Sequence, residues 1–173
     1  MFEESPLAIS AWLDQEDAHV ADMIRRYGVH ITYVGGACGT PGCSCEETGE
    51  GPAFAYTTGL FGIGHPELAI VNVKPATAQA VLNELAGRIR DGERLLPGML
   101  LTFGDAWAHR VTVETVPNPG QIAFGANRHY QRPDAFSVPL LQLTYDDRGG
   151  RFPWEQGYAN TPEMQPRPGA WRA

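Results

Sequence analysis

Near the start of the chain, apolar residues recur at the spacing of an α-helix. The pattern begins at Ser10, a residue type that often caps helices, and ends at Tyr27, where Gly28 follows as a natural terminator. The apolar side chains of one face are three, four and seven residues apart: Leu13, Val20, Ile24 and Tyr27. This period predicts an amphipathic helix over residues 10–27.

A second apolar pattern of helical period lies in the middle of the chain. Pro75 suits the first position of a helix, where a missing N–H leaves no bond unmade, and the pattern ends near Gly92. The side chains of its apolar face are Val81, Leu82, Leu85 and Ile89. The sequence therefore predicts two principal helices.

Shorter segments alternate in polarity or are apolar throughout, which is typical of strands. The predicted strands are residues 29–34, 53–58, 68–73, 99–103, 107–116 and 138–145, and a short helix is predicted within 123–131. Because helices and strands do not alternate strictly, the pattern indicates an α+β fold. It consists of a mainly antiparallel sheet with the two principal helices packed on it.

One domain over residues 1–173 is expected, because this length is ordinary for a single domain and no repeat divides it. Two segments lack periodicity: a loop at residues 35–52 that is rich in Gly and Cys, and a tail at residues 152–173 that is rich in Pro. The tail is predicted to lie extended over the surface. Trp154 is expected to be the apolar plug that attaches the tail to the core.

The charge of the chain narrows the classes of partner. Its net charge is -7 and its isoelectric point is about 5.1. An acidic surface repels phosphate groups and anionic lipid, so neither nucleic acid nor a membrane is expected as a partner. The start of the sequence has no signal-peptide pattern, and no apolar run reaches the about 20 residues that a bilayer requires. These features predict a cytoplasmic protein that binds an unknown small molecule or protein, in an undetermined oligomeric state.

Several short phrases follow one another in a fixed order. They are Phe54-Ala55-Tyr56-Thr57-Thr58-Gly59-Leu60, His65-Pro66-Glu67-Leu68, Leu82-Asn83, Leu141-Gln142-Leu143, Asp147, Gly150, Phe152-Pro153-Trp154-Glu155 and Gln165-Pro166. In this combination the chain resembles, over roughly residues 29–169, a bacterial and mostly actinobacterial family known as domain of unknown function number 4262. The resemblance implies a cytosolic bacterial protein and brings no activity, substrate or catalytic residue with it.

The loop after the first predicted strand contains all three cysteines of the chain, Cys38, Cys43 and Cys45. Thiolates are strong zinc ligands, and a structural zinc site usually takes four ligands in tetrahedral geometry. His30 is the simplest fourth ligand because it belongs to the preceding strand. The other candidates for that place are His65, His109, His129 and Glu46. The spacing C-x4-C-x-C lacks the usual C-x2-C knuckle, so three free thiols, or a redox or nucleophilic thiol, remain alternatives to structural zinc.

A second group of candidate residues surrounds the turn before the predicted strand 68–73. His65 could act as a general base near neutral pH, with Glu67 orienting it or serving as an acid. Tyr56 could donate a hydrogen bond to a ligand in the same pocket. The structural alternative is that Glu67 caps the turn, His65 lies at the surface and Tyr56 satisfies a backbone carbonyl. The carboxylates of Asp146, Asp147 and Glu155 are expected to serve ordinary turn chemistry.

Three functions therefore remain open. The first is a domain with a structural, Cys-ligated zinc and a small-molecule pocket near Tyr56, His65 and Glu67. The second is a small enzyme that uses His65 and Glu67 as an acid–base pair. The third is a non-catalytic interaction or regulatory module, which predicts an exposed apolar patch. The signatures of common nucleotide-binding loops, serine hydrolases and zinc proteases are absent from the sequence.

Overall fold

The computed structural model describes residues 5–35 and 51–173. The helices and strands, in chain order, are α1 (Pro6–Tyr27), β1 (His30–Val34), β2 (Phe54–Thr58), β3 (Glu67–Val71), α2 (Pro75–Arg90), β4 (Leu100–Leu101), β5 (Val111–Thr115), α3 (Phe124–His129) and β6 (Leu140–Tyr145). No helix in this part of the chain is long and apolar enough to cross a membrane.

The six strands form one sheet in the order β1-β2-β3-β6-β5-β4. Neighbouring strands are antiparallel except β3 and β6, which are parallel, with Glu67 opposite Leu140. This arrangement confirms the predicted α+β fold with a mainly antiparallel sheet. The parallel pair joins two halves of the chain that are far apart in sequence, and local periodicity does not encode that pairing.

The register gives the sheet two distinct ends. Val34 lies opposite Phe54, and Phe54 lies opposite Val71, so the segment after β1 leaves from what we call the loop end. His30 lies opposite Thr58 at the other end, where β3 also begins, and we call this the turn end. The two ends separate the predicted site residues, as described below.

Each face of the sheet is covered by different elements. α2 packs on one face, where its predicted apolar side chains Val81, Leu82, Leu85 and Ile89 meet residues such as Leu68 and Ile70. The opposite face is covered by α3 and the tail, which pack on Phe54, Tyr56 and Ala69. Both faces of β2 and β3 are therefore buried, which explains the continuous apolar run of residues 68–71 in β3.

α1 is longer than predicted. It begins at Pro6 with Ser5 as its N-cap, so Ser10 lies inside the helix, and it ends at Gly28, which adopts the left-handed conformation with φ 81°. Leu13, Val20 and Ile24 are half-buried against the body, whereas Tyr27 is 55% exposed. No residue of α1 is fully buried. The predicted face is therefore correct, but it packs only lightly.

The tail after Phe152 contains no helix or strand, but the residue that attaches it to the core is not Trp154. Trp154 is 51% exposed, whereas Trp171 is 6% exposed and packs on Phe54 with ring centroids 4.9 Å apart. The Trp171 indole N–H donates to the Gln142 side-chain oxygen at 2.9 Å. The plug is therefore close to the far end of the tail.

The predicted strands at residues 99–103 and 107–116 are shorter in the structure, where they become β4 and β5. A 3-10 turn at Gly104–Ala106 separates them. The N–H of Arg110 donates to the Asp146 carboxylate at 3.1 Å and not to a neighbouring strand, so the ladder begins only at Val111.

Candidate functional site

Glu67 is the first residue of β3, and its side chain is completely buried. Its two carboxylate oxygens accept the N–H groups of Gly59, Leu60 and Phe61, at 2.8, 3.3 and 3.0 Å, and the hydroxyl of Thr57, at 2.6 Å. Burial raises the pKa of the Glu67 carboxyl above its ordinary value, and the hydrogen bonds from these four residues oppose that shift.

The Thr57 hydroxyl connects the Glu67 carboxylate to β3. It donates to Glu67, and its oxygen accepts the N–H of Leu68 at 2.9 Å. The Glu67 carboxylate therefore accepts four donors and forms the centre of a turn.

Gly59 makes this turn possible. Its φ is +135°, a region that L side chains rarely adopt, and a Cβ added there would lie 2.8 Å from the backbone oxygen of Gly28. The turn can thus direct its N–H groups at Glu67 while it passes close to the end of α1. The predicted capping role of Glu67 matches this arrangement.

His65 is buried, although the structural alternative placed it at the surface. The N–H of Leu95 donates to His65 Nε2 at 3.0 Å, so Nε2 carries no hydrogen. The hydrogen is therefore on Nδ1, which donates to the carbonyl of Pro66 at 2.7 Å. Both ring nitrogens are engaged with the backbone, and the imidazole joins the turn to the segment after α2.

Tyr56 is 3% exposed and projects from β2 towards α3. Its hydroxyl accepts the N–H of Gly125 at 2.8 Å, so its partner is a backbone N–H and not the carbonyl that was expected. Burial raises the pKa of the Tyr56 hydroxyl above its ordinary value. Tyr56 thereby supports the first turn of α3.

These three residues line none of the three grooves found in residues 5–35 and 51–173, which are lined by other side chains. The acid–base pair of His65 and Glu67, and the ligand donor Tyr56, stay predictions, but each polar atom involved is bonded to nearby protein groups. The geometry favours a structural role for all three.

The predicted metal ligands Cys38, Cys43 and Cys45 lie outside the described residues, as does Glu46. His30, the proposed fourth ligand, is the first residue of β1 and lies at the turn end of the sheet. The loop leaves from Val34, four residues further along, which corresponds to about 13 Å of strand. The residues described hold no group of three or more His, Cys, Asp or Glu side chains arranged to bind a metal ion.

A histidine–carboxylate pair that the sequence did not indicate lies near the start of β5. His109 Nδ1 is 3.0 Å from the carboxylate of Asp146 and 2.8 Å from its carbonyl oxygen. The same carboxylate accepts Nε–H of Arg110 at 2.9 Å. This geometry orients the imidazole as in a general base. None of the three grooves is lined by His109.

Asp147 and Glu155 perform the turn chemistry that was expected of this region. Asp147 accepts the N–H groups of Gly149, Arg151 and Ala159, at 2.8, 2.9 and 2.8 Å. These backbone hydrogen bonds, that from Arg151 first, hold the pKa of the Asp147 carboxyl below its ordinary value. Glu155 accepts the N–H of Phe152 at 2.6 Å.

The first eight residues of α1, Pro6–Leu13, form an apolar surface that we call the α1 knob. It contains no charged residue, and Leu7, Ile9 and Trp12 are 83%, 43% and 58% exposed. These side chains project in different directions around the helix, as 100° per residue requires. A helix segment that is apolar on all sides is usually buried. Within residues 5–35 and 51–173, no other segment buries it.

The largest of the three grooves, about 1030 Å³, lies beside α3, and we call it the Phe groove. Its lining residues are Pro117, Asn118, Pro119, Gly120, Gln121, Phe124, Arg132, Asp134, Ala135, Phe136, Ser137, Arg172 and Ala173. Phe124 is 50% exposed and Phe136 is 70% exposed. Arg132 is held in place by a 2.6 Å hydrogen bond to the carbonyl of Phe136 and by stacking over Phe61.

The family described as a domain of unknown function (DUF4262) matches residues 23–159. The chain belongs to this family. No curated protein and no solved structure matches the chain. The DUF4262 match includes the turn around Glu67 and the His109–Asp146 pair, but it excludes the α1 knob and the plug residue Trp171.

In this DUF4262 protein, two of the phrases that carry the resemblance, residues 54–60 and 65–68, form the turn end of the sheet. Thr57, Gly59, His65 and Glu67 hold one another and the backbone in place, as their hydrogen bonds show. Membership in the DUF4262 family therefore accounts for a structural frame and assigns no chemistry to it.

Proposed function

We propose that this protein is a non-catalytic interaction module that docks on its partner through the α1 knob. The exposure of Leu7, Ile9 and Trp12 on an uncharged helix start carries the proposal. Complete burial of such a side chain contributes about 1.5 to 3 kcal/mol, and tryptophan is among the residues that dominate binding energies at interfaces. A partner that covers the knob therefore gains several such contributions at once.

The internal hydrogen bonds support the same function. A small enzyme that uses His65 and Glu67 needs a nitrogen or oxygen that is free to exchange a proton with a substrate. His65 Nε2 accepts the N–H of Leu95, and the Glu67 carboxylate accepts four donors. A substrate would have to displace those hydrogen bonds before either group could exchange a proton with it. The knob needs no such rearrangement to bind.

Site-specific photo-crosslinking tests this function in cells that produce the protein naturally. A photoreactive amino acid at position 12 is expected to give one discrete adduct, which mass spectrometry identifies. The same amino acid at Asn83, an exposed position on α2, is the control and is expected to give none. Leu7→Gln together with Ile9→Gln should abolish the adduct. Equal labelling from positions 12 and 83, or no adduct from position 12, would contradict the proposal.

We further propose a structural zinc ion bound by Cys38, Cys43 and Cys45, because three thiols within eight residues of a Gly-rich loop can converge on one ion. Elemental analysis of protein purified without chelator should find about one zinc per chain. Replacing the three cysteines by serine should remove it. His30→Asn should weaken zinc binding if His30 is the fourth ligand, with His19→Asn, at an exposed histidine that is not among the candidate ligands, as the matched control. Absence of zinc from the wild-type protein contradicts the proposal.

A further inference from the structure

We infer that the partner of the α1 knob is the Phe groove of a second copy of this chain, so that two copies exchange knobs about a two-fold axis. This inference rests on the proposed function, because it names the partner of the same docking element. Four features support it: the apolar side chains of the knob and the groove, the charges beside them, their positions in the molecule, and the closed symmetry of a dimer that pairs them.

The apolar surfaces of the knob and the groove are complementary in kind. The knob presents Leu7, Ile9 and Trp12, and the groove presents the exposed rings of Phe124 and Phe136. Monomeric proteins rarely leave two such surfaces uncovered. Aromatic pairs such as Trp12 with a phenylalanine ring add about 0.5 to 1.5 kcal/mol beyond the area that they bury.

The charges that flank the two surfaces are opposite. The knob is followed directly by Asp14 and Glu16, both exposed. The groove carries the guanidinium groups of Arg132 and Arg172 against the single carboxylate side chain of Asp134. Within residues 5–35 and 51–173, none of the ion pairs involves Asp14, Glu16, Arg132 or Arg172. On a chain of net charge -7, the two arginine side chains at this groove favour an acidic partner segment.

The knob and the groove lie near the same junction of the molecule. Asp17, one turn beyond the knob, forms a two-point ion pair with Arg128 of α3, with both distances 2.8 Å. α3 begins at Phe124, which lines the groove. A two-fold axis close to this junction therefore brings the knob of each copy towards the groove of the other.

Symmetry explains why the second copy is preferred over an open chain of copies. Each copy supplies one knob and one groove, so a two-fold arrangement uses all of them and closes the assembly. A head-to-tail arrangement without closure would leave one knob and one groove exposed at its ends. The reciprocal dimer buries two identical contacts.

The oligomeric state of the purified full chain tests this inference. Light scattering after size-exclusion chromatography, and sedimentation equilibrium, should show a particle of twice 18.9 kDa. Trp12→Gln and Phe136→Gln should each weaken dimerisation by several hundred-fold, because a central contact residue is worth about 2 kcal/mol and each change occurs in both contacts. Leu96→Gln is the matched control, because Leu96 is as exposed as Trp12 but lies outside both surfaces, and it should leave the dimer unchanged.

A mixing experiment distinguishes the knob–groove contact from a knob–knob contact. A chain with Trp12→Gln retains a normal groove, and a chain with Phe136→Gln retains a normal knob. An equimolar mixture should therefore form a heterodimer with one intact contact, and it should associate more strongly than either variant alone. Glu16→Arg and Arg172→Glu should each weaken the dimer, and the two changes combined should restore part of the loss.

Three results would overturn the inference. They are a monomer at every concentration up to hundreds of micromolar, a dimer that is insensitive to Phe136→Gln, and a mixture that associates no better than its components. The proposed function is decided separately by the crosslinking experiment. An identified adduct of position 12 with another protein would support the docking role of the knob and reject the second copy as its partner.

Discussion

Glu67→Ala is expected to lower the free energy of unfolding by about 3 to 5 kcal/mol, because it leaves several buried donors without an acceptor. Three backbone N–H groups and the Thr57 hydroxyl all donate to the Glu67 carboxylate, which is fully buried. Urea unfolding followed by circular dichroism measures the change.

Glu84→Ala is the matched control for this result. Glu84 is 47% exposed on α2, and its ion-pair partner is Arg88, one helical turn away. Exposed pairs of this spacing contribute about 0.3 to 0.5 kcal/mol, so the variant should be nearly as stable as the wild type. Glu67→Gln keeps one accepting oxygen and should still lose stability, which preserves the test if Glu67→Ala does not fold. A loss below about 1 kcal/mol for Glu67→Ala would show that the turn does not depend on the carboxylate.

Trp171→Ala is expected to be the second large change, with a loss of about 3 to 5 kcal/mol. The substitution removes a buried indole that packs on Phe54 at 4.9 Å, and it leaves the amide oxygen of Gln142 without its donor. The tail from residue 152 onward should then be cut by protease at concentrations that leave the wild type intact. Urea unfolding and limited proteolysis together measure the effect.

Trp154→Ala serves as the control because it deletes the same side chain from the same tail. Trp154 is 51% exposed, stacks on Phe152 at 5.1 Å and lies beneath the guanidinium of Arg167 at 4.8 Å. Exposed contacts of this kind contribute about 0.5 to 1 kcal/mol. If both tryptophan variants lose the same free energy of unfolding, Trp154 stabilises the tail as much as Trp171 does. That result would contradict the prediction, which rests on Trp171 being the buried one of the two.

The α1 knob lies outside the DUF4262 match, whereas most of the residues that stabilise the fold lie within it. The matched range holds the sheet, α2 and the Glu67 turn, and their hydrogen bonds are satisfied internally. The apolar surface that we propose as the docking element precedes that range. Variants of the knob should therefore change association without disturbing the frame.

The apolar periods that predicted α2 and the face of α1 are local properties of the sequence. A helix repeats every 3.6 residues and a strand every two, so neighbouring residues are sufficient to reveal them. Gly28 terminates α1 as predicted for the same reason, because its left-handed conformation is a local requirement. The capping role of Glu67 could also be predicted from the sequence, because Gly59 in the turn and Glu67 are only eight residues apart.

Local sequence patterns do not predict contacts between residues that are far apart in the chain, and three residues show this. The sequence named Trp154 as the plug because it follows Phe152 and Pro153, but Trp171 fills the space beside Phe54, a residue far away in the chain. His109 and Asp146 are 37 residues apart and meet because β5 pairs with β6. The residue type and position of His65 predict a general base. In the structure its Nε2 accepts the N–H of Leu95, which lies beyond α2, and local sequence does not reveal that contact.

The amino-acid sequence by itself determined the fold class of this protein, the positions of its main helices and strands, and its membership in the DUF4262 family. These follow from periodicity, turn residues and ordered phrases, which act over short distances along the chain. Only the tertiary structure decided the parallel pairing of β3 with β6, the engagement of His65, Glu67 and Tyr56 with nearby protein groups, and the exposure of the α1 knob. Those features depend on which distant segments meet and which apolar surfaces remain uncovered, and that is a property of the packed chain as a whole.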